Sequence, residues 1–195
     1  MRIAKLNRKT NETDISLTLN LDGTGSSSIN TDCGFLNHML ILLAAHSKMD
    51  LEITCVGDSD VDYHHTVEDI GISLGIALNQ ALGDKRGINR YGSCILPMDE
   101  ALINVALDFS GRAMLCEDIN LQTNKVGSFD TELCKEFMVA FSREAKLTLH
   151  IMQLRGENSH HIIEGIFKAL ARAIRVAITI DKGFEEQIPS TKGVI

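Results

Sequence analysis

No C-x-x-C pair, no block of consecutive basic residues and no membrane-length apolar run occurs in this 195-residue chain. Each absence excludes a class of protein. The five cysteines (Cys33, Cys55, Cys94, Cys116, Cys134) are odd in number and unpaired in spacing, which fits reduced, mostly core thiols rather than a disulfide framework or a structural zinc site. A formal charge of -7 with no basic block argues against a nucleic-acid-binding surface, so an anionic substrate would need a local cationic cluster. The longest apolar run, Met39 to Ala45, is far too short to cross a bilayer, and no charged segment leading into an apolar stretch opens the chain. A cytoplasmic location is expected. "DGTGSSS" (Asp22 to Ser28) lacks the pattern of a phosphate-binding loop and reads as a hairpin turn. What remains, with 44% hydrophobic and 23% charged residues, is an ordinary globular chain of one domain or two small ones.

Against these absences, one motif is written twice: "HHTVEDIGISLGIAL" from His64 and "HHIIEGIFKALARAI" from His160. Apolar residues follow at helical spacing in both, at Val67, Ile70, Leu74 and Leu78 and at Ile163, Ile166, Leu170 and Ile174. Asp62 precedes one doublet and Asn158-Ser159 the other, as capping residues do, so each doublet falls in the first turn of a helix. The β-prone runs "LEITCV" and "LTLHIM" each begin thirteen residues before their doublet, which keeps the offset of 96. The helical patterns "FLNHMLILLAAH" and "LCKEFMVAFSRE" precede those strands, and "ETDISLTLNLDG" matches "EALINVALDFSG" at an offset of 88.

The pattern is that of an internal duplication, with halves 1–87 and 88–195, each reading strand, strand, helix, strand, helix. The glycine-bracketed, charged segment Gly83 to Gly92 reads as a surface connection between them. Such a unit implies an α+β sandwich with helices covering one face of each sheet.

At about 100° per residue, the first histidine and the glutamate of each motif fall within about 40° of each other, with the second histidine about 60° beyond. Imidazole with carboxylate suits divalent ions such as Mn²⁺, Fe²⁺, Zn²⁺ or Ni²⁺. Adjacent histidines do not easily ligate one ion from one helical turn. They can serve two ions, or one can ligate while its neighbour meets substrate. Aligning "FLNHML" with "LCKEFM" pairs His38 with Glu136. Each half then offers one ligand from its middle helix (His38, Glu136) and three from its last (His64, His65, Glu68; His160, His161, Glu164). Eight groups suffice for two ions with open positions.

The segments "GFLNHML", "DYHHTVEDIGI", "PMDEAL", "FDTEL", "ENSHHIIEGIFKALARA" and "PSTKGV" together resemble the imidazoleglycerol-phosphate dehydratase family of histidine biosynthesis, over nearly the whole chain. The resemblance implies a duplicated fold of the ribosomal protein S5 domain 2-like kind, with helices sandwiched between two four-stranded sheets. It implies a cofactor of two Mn²⁺ per active site, a twenty-four-subunit cage with metal sites at subunit contacts, and conversion of imidazole glycerol phosphate to imidazole acetol phosphate and water through a metal-bound imidazolate and a diazafulvene-like intermediate. One manganese would take His38, His65, His160 and Glu164; the other would take His64, Glu68, His161 and position 136, where many members have histidine and this chain has Glu136. Glu12 matches a substrate-contacting glutamate and, with Glu68, is an acid/base candidate. Arg90, Arg112, Lys168, Ser190, Thr191 and Lys192 match phosphate-binding positions, and His46 falls in a substrate-contacting segment. Lys168 also continues the His160, Glu164 series on one helix face, and His46 lies two turns beyond His38. A dinuclear hydrolase, or a non-enzymatic shell assembled by metal, would use the same ligands differently.

Overall fold

The computed structural model describes residues 1–195. Strand alternation builds two sheets. In β2 (Thr13–Asn20), Ile15, Leu17 and Leu19 are buried while Asp14 and Ser16 face out; in β6 (Ala101–Asp108), Ala101, Ile103, Val105 and Leu107 do the same. β1 (Ile3–Lys9) pairs with β2 antiparallel, β2 pairs with β4 (Asp50–Gly57), and the short β3 (Ser27–Asn30) runs parallel to β4 at the edge. The second sheet repeats the order with β5 (Tyr91–Met98), β6, β10 (Thr148–Arg155) and β7 (Met114–Asp118). A two-stranded ribbon, β8 (Lys125–Val126) with β9 (Phe129–Asp130), leads into the third helix.

Four helices lie between the sheets: α1 (Gly34–Ser47), α2 (His64–Leu82), α3 (Leu133–Glu144) and α4 (Ser159–Ala177). α2 packs on β1 and β2 and against α3, whereas α4 packs on β5 and β6 and against α1. The two helix pairs therefore each join a helix from the first half of the chain to one from the second. Gly71 and Gly75 let α2 approach α3 closely: a Cβ at either would fall 2.9 Å from the Phe137 carbonyl oxygen or 2.7 Å from that of Phe141. Phe137 is fully buried, with ring centroids 6.0 Å from Phe141 and 5.1 Å from Phe167. Phe137→Ala should therefore destabilise the chain by about 3–5 kcal/mol in denaturant titration, and a loss below 1 kcal/mol would mean the helices repack.

Three sequence expectations change. Each half carries an additional strand, β3 or β7, held by parallel pairing to the strand that follows the helix; neither is long enough to announce itself in sequence. "DGTGSSS" is no hairpin turn, because β4 lies between β2 and β3. Its shape comes from Asp50, whose carboxylate accepts the backbone N–H groups of Thr24, Gly25 and Ser26 at 2.8, 3.1 and 3.0 Å. The junction is not a free surface loop either: Lys85, Gly87 and Ile88 are buried, and the C-terminal tail bonds to it through Gly87 N–H to Gln187 O (2.8 Å) and Asn89 N–H to Thr179 O (2.9 Å). All five cysteines are free; Cys33, Cys55 and Cys134 are buried, and burial pushes the Cys134 thiol up to about 12.

Candidate metal centre and anion cleft

Both histidine doublets open helices. The His64 N–H bonds to the Asp62 carboxylate at 2.7 Å, and the Asn158 side chain caps α4 by accepting from the N–H groups of His160 (2.9 Å) and His161 (3.4 Å). Within each doublet the rings stand nearly perpendicular, at 85° and 84°. The two histidines of a pair thus face different directions, as separate duties require.

One cluster assembles within the chain. His38 from α1 meets His160 and Glu164 from α4, with a ligand atom from each lying within 4.8 Å of the others. His160 Nε2 is 3.1 Å and His38 Nε2 3.5 Å from Glu164 Oε2. Lys168 pairs with the other oxygen of Glu164. Burial alone would raise the Glu164 carboxyl, but its hydrogen bonds to Lys168 and His160 and the Lys168 charge outweigh that, so its pKa is lowered. Two imidazoles and an ionised carboxylate converging on one point fit a divalent ion. His46, two turns further along α1, is half-buried; burial first, then the charges of Lys168, Arg172 and Lys48, push its pKa down.

The other expected ligands are not gathered with these in the single chain. His65 turns to Asp58, with Nδ1 2.8 Å from its carboxylate, and places Nε2 3.7 Å from Glu12. His161 turns to Glu100, with Nδ1 2.7 Å away and Nε2 3.7 Å from Asp99. The set His38, His65, His160, Glu164 is therefore complete except for His65. The set His64, Glu68, His161, Glu136 does not close to a common point. Glu68 lies 4.0 Å from Arg143, and Glu136 is half-buried in the first turn of α3. The two second histidines turn away for a geometric reason: a residue about 100° around the helix from the first faces away from the helix partner, toward the preceding loop at His65 and toward the β5–β6 turn at His161.

Glu12 is exposed at the start of β2, but its neighbour is tied down. The Thr13 hydroxyl donates to the buried Asp69 carboxylate at 2.5 Å, and Arg8 pairs with the same oxygen at 2.5 Å. This link fixes the β1–β2 hairpin to α2 one residue beyond Glu68.

Arg90, Arg112, Ser190, Thr191 and Lys192 line one cleft of about 380 Å³ with Ser110. Arg90 is bound to Asp108 through two hydrogen bonds (2.7 and 3.1 Å), which raise its pKa, and donates to the Pro189 carbonyl at 2.8 Å. Arg90 thereby holds the tail in place, leaving Arg112 and Lys192 as the cations free for an anion. Lys168 does not join them within the chain; it sits at Glu164, because the helical series that places it with the ligands leaves it mid-way along α4, short of the Ala177 end where the tail lies. The cleft lies at the far end of α4, where the Arg90 N–H bonds to Ala177 O at 2.9 Å. At about 1.5 Å per residue, the first turn of α4 is about 25 Å away.

Asp58, Asp69, Asp99 and Glu100 were not singled out from sequence as parts of the site. Glu100 had a signal, since it is the duplicate of Glu12 at the 88-residue offset; the others had none beyond local acidity. The His161 bond and the Asn158 N–H lower the Glu100 pKa to about 2 from 4.5. Because the folded value is depressed, its stabilisation is fully present above about pH 4.5 and is lost as pH falls toward 2. In metal-free protein, Glu100→Gln should accordingly flatten the acid limb of Tm against pH across that window; an unaltered limb would show that Glu100 does not contribute.

Comparison with known proteins shows the family and the fold. The family model for imidazoleglycerol-phosphate dehydratase matches residues 31–174. Curated dehydratases of that name from Jannaschia sp. and Ruegeria pomeroyi are each 55% identical, the first over 99% of both chains and the second over all of both. The crystal structure of the Staphylococcus aureus enzyme superposes with a TM-score of 0.83 at 44% identity, covering 91% of this chain and 99% of that one. The Pyrococcus furiosus structure gives 0.84 at 38% identity, covering 97% and 100%.

Proposed function

This chain belongs to the imidazoleglycerol-phosphate dehydratase family of hydro-lyases, and on that premise we propose that it dehydrates imidazole glycerol phosphate with two Mn²⁺ per active site, at a site shared between subunits. The observation that carries the metal reading is the convergence of His38, His160 and Glu164 from the two halves of the chain. We read residues 1–87 and 88–195 as duplicated halves that form one functional unit, in keeping with their identical strand orders. A cytoplasmic location goes with this reading, and no helix is long and apolar enough to cross a membrane.

The proposed ligands are His38, His65, His160 and Glu164 for one ion and His64, Glu68, His161 and Glu136 for the other. When bound, the ions would supply Lewis acidity toward the substrate's imidazole ring. The rest falls to side chains. Dehydration removes a hydroxyl from the carbon beside the ring and a hydrogen from the next carbon, which no carbonyl acidifies, so orientation and a placed proton acceptor matter most. Glu12 suits that role: its side chain is 52% exposed and its only ionic neighbour is His65. Glu68 is the alternative, already engaged as a proposed ligand. Arg112, Lys192, Ser190 and Thr191 would hold the phosphate, with Arg90 shaping the cleft.

Three carbons and one oxygen join the substrate's ring to its phosphorus, far too few to bridge about 25 Å. One chain therefore cannot bind both ends with its own cluster and its own cleft. A second copy would bring its cleft to the first copy's cluster, which supports self-association; a cage is the form of it that the family resemblance implies. Manganese-loaded protein given imidazole glycerol phosphate should develop the absorbance of an enolised ketone; release of inorganic phosphate without ketone would identify a hydrolase instead.

A further inference from the structure

We propose that Asp58 and Glu100 are positioning residues that hold His65 and His161 with Nδ1 protonated and Nε2 bare, ready to ligate metal; this deepens the dehydratase reading and rests on it. An ionised carboxylate can only accept a hydrogen bond. Nδ1 of His65, 2.8 Å from Asp58, and Nδ1 of His161, 2.7 Å from Glu100, must therefore donate. In a neutral imidazole the lone pair then lies on Nε2. Both clamps act on the second histidine of a doublet, the one that turns away from the intrachain cluster.

Common ancestry does not explain the clamps. Asp58 lies in the loop between β4 and α2, whereas Glu100 lies in the turn between β5 and β6. At the 96-residue offset Asp58 aligns with Leu154, and at the 88-residue offset Glu100 aligns with Glu12. The same arrangement is thus reached twice from unrelated positions. The duplicated acids have also diverged: Glu12 faces Nε2 of His65 from 3.7 Å, while Glu100 faces Nδ1 of His161. Glu100 is itself fixed by the Asn158 N–H at 2.9 Å, so the capped start of α4 and the ring orientation are set together. A carboxylate behind a ligating imidazole selects the tautomer, aims the ring and raises its basicity.

The test is Mn²⁺ binding to the assembled protein, followed by the loss of the free-ion electron paramagnetic resonance signal. In Glu100→Gln and Asp58→Asn, the amide can turn its NH₂ toward Nδ1 and shift the proton to Nε2. Each variant should weaken one of the two Mn²⁺ sites by about 10–100-fold, and a different one in each case. Imidazole ¹⁵N shifts of metal-free wild type should report Nδ1–H on both residues, reversing in the variants. Asp58 makes no side-chain bond to backbone, so Asp58→Asn decides the question if Glu100→Gln disturbs the start of α4. Wild-type Mn²⁺ affinity in both variants would overturn the positioning role alone. No Mn²⁺ uptake by wild type would instead overturn the metal reading on which it rests.

Discussion

Replacing His160 with alanine is expected to slow dehydration by on the order of 10³-fold while leaving the metal-free Tm nearly unchanged. His160 is half-exposed in the first turn of α4 and contributes little to the core. Its Nε2 lies 3.1 Å from Glu164 and its partner across the helix pair is His38. Removing it leaves Glu164 with His38 as its one imidazole and with Lys168 on its other oxygen, too few ligands to hold the ion. A Lewis acid at the reacting ring supplies several kcal/mol, and each 1.4 kcal/mol is about tenfold in rate. Metal content and rate should fall together, read by metal analysis of the purified assembly alongside initial rates. A variant that keeps its Mn²⁺ and works within tenfold of wild type would show that the cluster is not the site.

Mixing two impaired variants should restore activity at low substrate if the site is shared. His160→Ala destroys the cluster and keeps the cleft; Arg112→Ala keeps the cluster and removes the cleft's free guanidinium, which is exposed and bound only to the Ser110 carbonyl at 3.3 Å. Losing a charged hydrogen bond to phosphate should raise KM by about 10–100-fold. When the two chains are dissociated, mixed in equal amounts and reassembled, about a quarter of sites should combine an intact cluster with an intact cleft from another copy. Assayed at low substrate, the mixture should greatly exceed either variant alone. Activity no greater than the mean of the two would mean that each chain completes its own site, against the separation along α4.

The doublets were legible in sequence because helical periodicity and duplication are both local patterns. The repeat predicts a ligand from the middle helix without saying which helix it meets; only the family resemblance pairs His38 with the α4 motif. The α1–α4 and α2–α3 pairings are tertiary facts, set by buried faces and by the close approach at Gly71 and Gly75. Asp58 has no sequence signal because a carboxylate in an acidic loop has no periodicity; Glu100 has one through its match to Glu12, but its partner is chosen by how the β5–β6 turn folds back. The cleft's residues were named only from the family resemblance. What gathers them is the tail lying on the junction, held by Arg90 between Asp108 and Pro189, and no spacing rule announces such a contact. Lys168 is legible from spacing alone: the helical series from His160 places it beside Glu164.

Titrating chelator-stripped protein with Mn²⁺, and measuring bound metal and the rate of imidazole acetol phosphate formation on the same samples, tests the central claim most directly. Rate should be negligible without metal and should plateau as occupancy reaches two ions per chain. Full activity in the stripped protein, or a plateau with no bound Mn²⁺, would contradict it.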